Sequence, residues 1–308
     1  MRRLLTGLLV TVALLLAAGM ALHFARRSGA NATSTSPAIP VATLHRARVS
    51  SADLEVGGDL AGLPSGATRY ITRDDLLALP RVRYTVTDDA NFTGPTEVGG
   101  VLLEELARHL GARPDSDLVV ALCDDQYRAN YPRDYLAAHH PLLVLQVNGE
   151  PPAGWPKDSE GHGLAMGPYM ISHPKFTPSF KILAHSDEPQ IPWGVVRLEF
   201  RDEKAVFGPI VPHGLQASVP AVEAGYLIAR QNCFRCHNSG REGGPKSGYA
   251  WDVLSALATA SPREFADYVR DPRAKHAQAQ MPGNTGYDDQ TTGALTAYFK
   301  TFSPGKQP

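Results

Sequence analysis

Cys233-Phe234-Arg235-Cys236-His237 constrains this chain more than any other stretch of it. Two thiols at this spacing, with an imidazole directly after the second, suit addition across the two vinyl groups of a haem, with the histidine drawn to the iron. A chain of this composition would produce the pattern by chance in roughly one case in a thousand. Two other chemistries use a Cys-x-x-Cys pair. A zinc site needs a second pair of ligands, and the chain has one further cysteine, Cys123. A thioredoxin-like pair needs a βαβ surround, which the flanking residues do not spell out. Cys233 and Cys236 are therefore read as the covalent attachment points of one haem c, and His237 as its axial ligand. With three cysteines in all, no disulfide framework is expected.

At 308 residues the chain has room for about two domains. Its hydrophobic share of 43% is enough for sizeable cores. A net charge of -1 lacks the basic excess that phosphate backbones demand, so nucleic acid is not an expected partner. Arg2 and Arg3 precede an apolar run from Leu4 to Leu22, and Arg26-Arg27 close it. Residues 1–27 read as a membrane anchor or a signal peptide: the run approaches the ~20 residues of a span and exceeds the ~7–15 of a signal core. Either reading exports the body, to the periplasmic side of an inner membrane or to the soluble periplasm. Residues 28–49, rich in Ser, Thr, Ala and Pro at the start, read as a flexible tether.

From about Ser50 the pattern alternates strands and short helices without regularity, which predicts an α+β domain over 50–203. Strands are expected around Leu54–Val56, Arg83–Thr87, Leu118–Cys123, Leu142–Val147 and Val195–Phe200. Thr72 caps a helix that stops before Pro80, and a helical stripe over Val101–Leu110 ends at Gly111. Residues 204–217, with Pro209, Pro212 and two glycines, read as a linker. The segment 218–304 is predicted all-helical. It has a helix running into Cys233, one opened by a Ser261-Pro262-Arg263-Glu264 capping box, and a last one carrying Leu295, Tyr298, Phe299 and Phe302 on one face.

Over 218–304 the chain resembles the cytochrome c family of class I type. Besides the pentapeptide, the resemblance is carried by Gly225-Tyr226 on the first helix, by the aromatic stripe of the last, and by Met281-Pro282-Gly283 between them. It implies that the first and last helices cross at a glycine, with Gly225 and Gly293 both candidates. It also implies that Met281 is the second axial ligand, with His276 as the rival. Trp251 and Leu254 would serve as walls, and a carbonyl after the motif, at Pro245, would orient the histidine.

Residues 50–203 are similar to a reduced form of the molybdopterin-binding domain of the sulfite oxidase family. The segments that carry this are Ile71–Pro80, Gly99–Leu106, Asp125-Gln126-Tyr127, Leu145–Pro151 and Gly167-Pro168-Tyr169. That family's enzymes hold molybdenum through a cysteine in an earlier part of the domain, and this chain has none before Cys123. The resemblance therefore implies a fold kept without its metal centre, and no molybdopterin is expected. Cys123 reads as a buried small hydrophobe. Arg69, Arg81, Arg83, Arg128 and Arg133 read as solvated surface rather than an oxyanion pocket. His139, His140, His162 and His173 read as solvated or hydrogen-bonded side chains rather than a metal cluster.

The function expected from these readings is periplasmic electron transfer through one His/Met-ligated haem c, with the front domain as a non-catalytic docking module and redox proteins as partners. The expectation favours a carrier over an enzyme. Two alternatives stay open. One is a molybdopterin-dependent dehydrogenase that passes electrons to its own haem. The other is a haem-based gas sensor or binding protein.

Overall fold

The computed structural model describes residues 42–87, 89–157, 163–174, 185–188, 190–214 and 216–302, all within one compact unit spanning 41–308. The expected anchor or signal, residues 1–27, lies outside the described residues. Among those described, no helix is long and apolar enough to cross a membrane. The fold mixes α and β, with two larger sheets in the first two thirds and helices thereafter.

Five strands form the first sheet: β1 (Leu54–Gly58), β2 (Thr68–Ile71), β5 (Leu118–Cys123), β6 (Arg128–Pro132) and β9 (Val195–Arg201), in the order β2-β1-β9-β5-β6. β1 and β9 run parallel, with Val56 opposite Leu198, and the other pairs are antiparallel. The second sheet is antiparallel, in the order β3 (Val82–Val86), β4 (Thr96–Leu102), β7 (Leu142–Val147) and β8 (Met170–Ser172). Asn148 and Gly149 both take positive φ at the end of β7, the signature of an Asn-Gly turn.

Short helices fill the sheet edges. α1 (Arg73–Ala78) starts where the Thr72 side chain accepts the Asp75 N–H, as its sequence predicts. The stripe expected from Val101 divides: Val101 and Leu102 finish β4, and α2 (Leu103–His109) follows. The cause lies at Gly100, where a Cβ would run into the Leu143 carbonyl; the backbones of β4 and β7 approach there too closely for helix. β6 and α3 (Arg133–His139) were not expected. Arg128 and Asn130 make β6 look like a loop in sequence, yet every residue of the strand is buried.

Residues 204–217, expected as a linker, begin within α4 (Glu203–Phe207), where Asp202 caps the helix by accepting the Ala205 N–H. Val206, Phe207 and Ile210 are buried in the same apolar cluster as Phe234, Trp251 and Phe299. The apolar residues interspersed among the prolines account for the difference: buried, each stabilises the ordered form by roughly 1.5–3 kcal/mol. The expected tether also shortens, since the Ala42 N–H donates to the His109 carbonyl at the end of α2 and His45 pairs with Tyr70 of β2.

β5 explains how the two halves meet. Val119, Ala121 and Cys123 point into the core between sheets and helices, and Leu118 and Val120 point into the core of the helical part. The unbroken apolar run of this strand is thus the mark of burial on both faces. The helical part holds α5 (Pro220–Ile228), α6 (Trp251–Ala260), α7 (Pro262–Arg270), α8 (Pro272–Lys275) and α9 (Asp289–Phe299). α5 and α9 cross at Gly225, where a Cβ would overlap the Ala294 carbonyl. Gly293, the other candidate, has open space at its Cβ position. α7 begins after Ser261 as predicted, but the Ser261 side chain makes no capping hydrogen bond.

Candidate functional site

α5 does not stop at Ile228. The backbone widens into one π-helical turn over Ala229–Cys233, and the Phe234 N–H reaches back to the Ala229 carbonyl. This turn delivers Cys233 to the start of a tight loop. The N–H groups of Cys236 and His237 both donate to the Cys233 carbonyl, at 3.2 and 3.0 Å, which gathers both thiols and the imidazole on a single turn. Phe234 is fully buried, packing edge-on against Trp251 with ring centroids 5.5 Å apart, and it anchors the loop from within.

The glycine-rich stretch after the motif wraps this loop. A two-stranded hairpin, β10 (Asn238–Ser239) with β11 (Glu242–Gly243), turns the chain back. Gly244 N–H then donates to the Phe234 carbonyl and Ser247 N–H to the Cys236 carbonyl. A Cβ at Gly243 would press on the His237 carbonyl, and one at Gly244 would overlap the Arg235 carbonyl. Gly243 also has φ +92, which favours glycine.

The His237 imidazole is buried, and its Nδ1 is 2.7 Å from the Tyr249 carbonyl. A carbonyl only accepts, so Nδ1 carries the proton and Nε2 keeps its lone pair for a metal. Burial lowers the pKa of this histidine, opposed by the bond to Tyr249. Pro245, expected to supply the orienting carbonyl, is replaced in that role by Tyr249, four residues on. The longer glycine-rich excursion accounts for the shift.

Cys233 and Cys236 are free and partly buried. Burial pushes the Cys233 thiol up to about 12 and raises Cys236. Met281 is partly buried and packs on the apolar cluster that also takes in Cys233, Leu254, Phe265 and Trp251. His276 is exposed, with its ring 5.9 Å from that of Tyr268. Two thiols and a tautomer-fixed imidazole on one turn, with the Met281 thioether packed on the same apolar cluster as Cys233, form a donor set that suits a covalently attached haem. Cys233 and Cys236 would hold its vinyl carbons, and His237 and Met281 its iron.

The loop is also braced from the front sheet. Arg128 N–H donates to the Arg235 carbonyl at 3.0 Å, so β6 begins against the motif itself. Arg128, expected at the surface, is 5% exposed; its guanidinium pairs with Glu242 at 3.0 Å and with Asn130. Glu242 also pairs with Arg201, at 2.6 Å. A buried Arg and a shared carboxylate form a clamp whose rupture typically costs about 3–5 kcal/mol. Beside it, Gln190 Nε2 donates to the Asn130 carbonyl and to Gln231 Oε1, and Asn232 Nδ2 donates to the His185 carbonyl and the Tyr287 hydroxyl. None of these partners was anticipated from sequence. The pair Gly243-Gly244 was the one local signal that another backbone comes close.

Of the histidines weighed as a metal cluster, His139 and His173 are buried and flank Tyr135. His139 Nε2 is 2.8 Å from Asp187, and His173 Nε2 is 3.0 Å from the Tyr135 hydroxyl. His140 is exposed and pairs with Glu104. His162 lies outside the described residues. Among the described residues, no group of three or more His, Cys, Asp or Glu is placed to hold a metal ion. Cys123 is buried, and burial, aided by Asp125 and Asp124, pushes its thiol far above the ordinary range. A surface cleft of about 1110 Å³ between α5, α7 and α9 includes none of Cys233, Cys236, His237 and Met281.

No protein-family model matches the chain, and no curated protein matches it. Among solved structures the chain is similar to the crystal structure of the sulfane dehydrogenase SoxCD from Paracoccus pantotrophus. The identity is 17% and the TM-score 0.33, over 51% of this chain. The chain spans 40% of that chain's length. A likeness of this size fixes neither the family nor the activity.

Proposed function

We propose that this chain is an electron-transfer protein carrying one covalent haem c, held by Cys233 and Cys236, with His237 and Met281 as axial ligands. The observation that carries the reading is the motif turn. Two thiols and a histidine lie on one braced loop, and the Nδ1–H of that histidine is committed to the Tyr249 carbonyl, leaving Nε2 for a metal. When bound, the haem supplies a one-electron couple. The protein's own part is to hold the imidazole in one tautomer, to exclude water with Phe234, Trp251 and Phe299, and to keep the turn from shifting as charge changes.

In this reading the chain has two modules that share β5. The front one, residues 50–203, keeps a sulfite oxidase-like fold without molybdopterin and serves as a docking body for redox proteins. The rear one, 218–304, is a class I-like cytochrome c. Export by residues 1–27 places both on the periplasmic side of the inner membrane, anchored or soluble according to whether that segment is retained.

The test is the iron and molybdenum content of the full chain, purified from a host able to insert both cofactors. One iron per chain, haem that stays with the polypeptide under denaturing conditions, and no molybdenum are expected. Cys233→Ala with Cys236→Ala should abolish the covalent haem. A wild-type chain that matures without covalent haem overturns the reading. Stoichiometric molybdenum beside the iron would replace the carrier with a dehydrogenase that feeds its own haem.

A further inference from the structure

Arg235 occupies the second variable position between the two motif cysteines, and its side chain is half-buried. It folds back along the turn, where Nε donates to the Gln231 carbonyl at 2.6 Å and Nη2 to Asn232 Oδ1 at 2.7 Å. Tyr127, in the turn between β5 and β6, lies near enough to interact with it electrostatically. Its own carbonyl accepts the Arg128 N–H, and only the missing Cβ of Gly244 leaves room beside the same oxygen. Neither backbone nor side chain has room to swing away.

The two acceptors that hold this guanidinium are a backbone carbonyl and a side-chain amide, both uncharged. The carboxylate whose charge reaches it, Glu188, is engaged elsewhere: its Oε1 meets His185 Nδ1 at 3.3 Å and the Tyr287 hydroxyl at 3.4 Å. Arg128, the neighbouring buried cation, differs in being paired directly with Glu242. Arg235 therefore places a half-buried positive charge at the attachment turn with no carboxylate in direct contact among the described residues. Charges in such surroundings act over longer distances than in water. Both motif thiols feel this cation, which offsets part of the upward push of burial on each.

We propose that Arg235 sets the reduction potential of the haem centre, raising it by holding a fixed, directly unneutralised positive charge at the attachment turn. The proposal rests on the haem reading above. Reduction brings one electron from a protein donor, with no bond made or broken, and a fixed cation favours the state that holds the electron. The β6 backbone, which belongs to the front module, braces the residue through the Arg128 N–H on its carbonyl, so the front module contributes to the potential without binding a cofactor of its own.

The experiment is a redox titration of the full-length, haem-loaded protein at neutral pH, with the visible spectrum and the denaturant midpoint followed for each variant. Arg235→Gln should lower the midpoint potential, and Arg235→Lys, which keeps the charge, should restore most of it. Glu188→Gln preserves the acceptor oxygen for His185 and Tyr287 but removes the opposing charge, so it should raise the potential. It also serves as the deciding variant should Arg235→Gln fail to mature. Shifts of opposite sign support the proposal. An unchanged potential in Glu188→Gln, or in an Arg235→Gln protein with intact spectrum and stability, overturns it. A wild-type chain without covalent haem would instead overturn the haem reading, and the two failures are told apart before any potential is measured.

Discussion

Gly225 and Met281 show how much can rest on one side chain. At Gly225 the missing Cβ is what lets α5 meet α9 against the Ala294 carbonyl and the Tyr298 side chain. Gly225→Ala would improve the intrinsic helix propensity of α5 by about 1 kcal/mol. It would also force two packed helices apart at a cost of roughly 3 kcal/mol. The variant should be less stable overall, with a lower denaturant midpoint; equal stability would show that the crossing has slack. Met281→Ala tests the ligand assignment. Covalent attachment through Cys233 and Cys236 should survive, and the weak long-wavelength absorption band of thioether-ligated ferric haem should vanish. Persistence of that band would exclude Met281 from the iron. The motif was legible in sequence because its spacing is itself a rule, whereas Met281 came from a resemblance, and the fold shows it packed on the same apolar cluster as Cys233. Tyr249 was not legible, since any residue offers a carbonyl and only the length of the glycine-rich loop decides which one arrives at His237.

Elements were legible where their pattern was self-sufficient. β5 and β7 announce themselves through apolar runs, β1 through alternation, and α1 through its Thr72 cap. β6 and α3 did not, because what makes them fold lies far along the chain: Arg128 needs Glu242, Asn130 needs Gln190, and Tyr135 needs His173. The contact between α3 and the residue after β8 carries a pH dependence. Burial, with His139 alongside, lowers the pKa of His173 from the ordinary 6.5 to about 3. In the unfolded chain this side chain takes up a proton near 6.5, and in the folded one it resists until about 3. Between those values the unfolded state binds more protons. The contribution of His173 is thus fully present above pH 6.5 and is lost as the pH falls toward 3, at a limiting slope of about 1.4 kcal/mol per unit. Denaturant midpoints at pH 7, 5.5 and 4 should fall in that order, and more shallowly in His173→Gln. Equal slopes in the two proteins would remove His173 from the account.

At the scale of the whole molecule, the sequence led us to expect two bodies joined by a linker, and the described residues pack as one unit. Leu118 and Val120 reach from β5 into the same core as Val206, Phe207 and Ile210 and the aromatic cluster of the helical part. A shared core makes separate melting unfavourable, because unfolding either side exposes apolar surface on the other. Far-ultraviolet circular dichroism, which follows the sheets, and Trp251 fluorescence, isolated by replacing Trp155 and Trp193 with Phe, should report one coincident transition. Two separated transitions would restore the picture of independent domains. The double-sided strand also limits how such a chain can change over time. Domains joined by a plain linker can be traded between genes by cutting at the join. Here the cut would fall after the strand that supplies the rear core with Leu118 and Val120, so a transplanted rear half would arrive with a hole in it. The two halves of this protein are bound to be inherited as a pair.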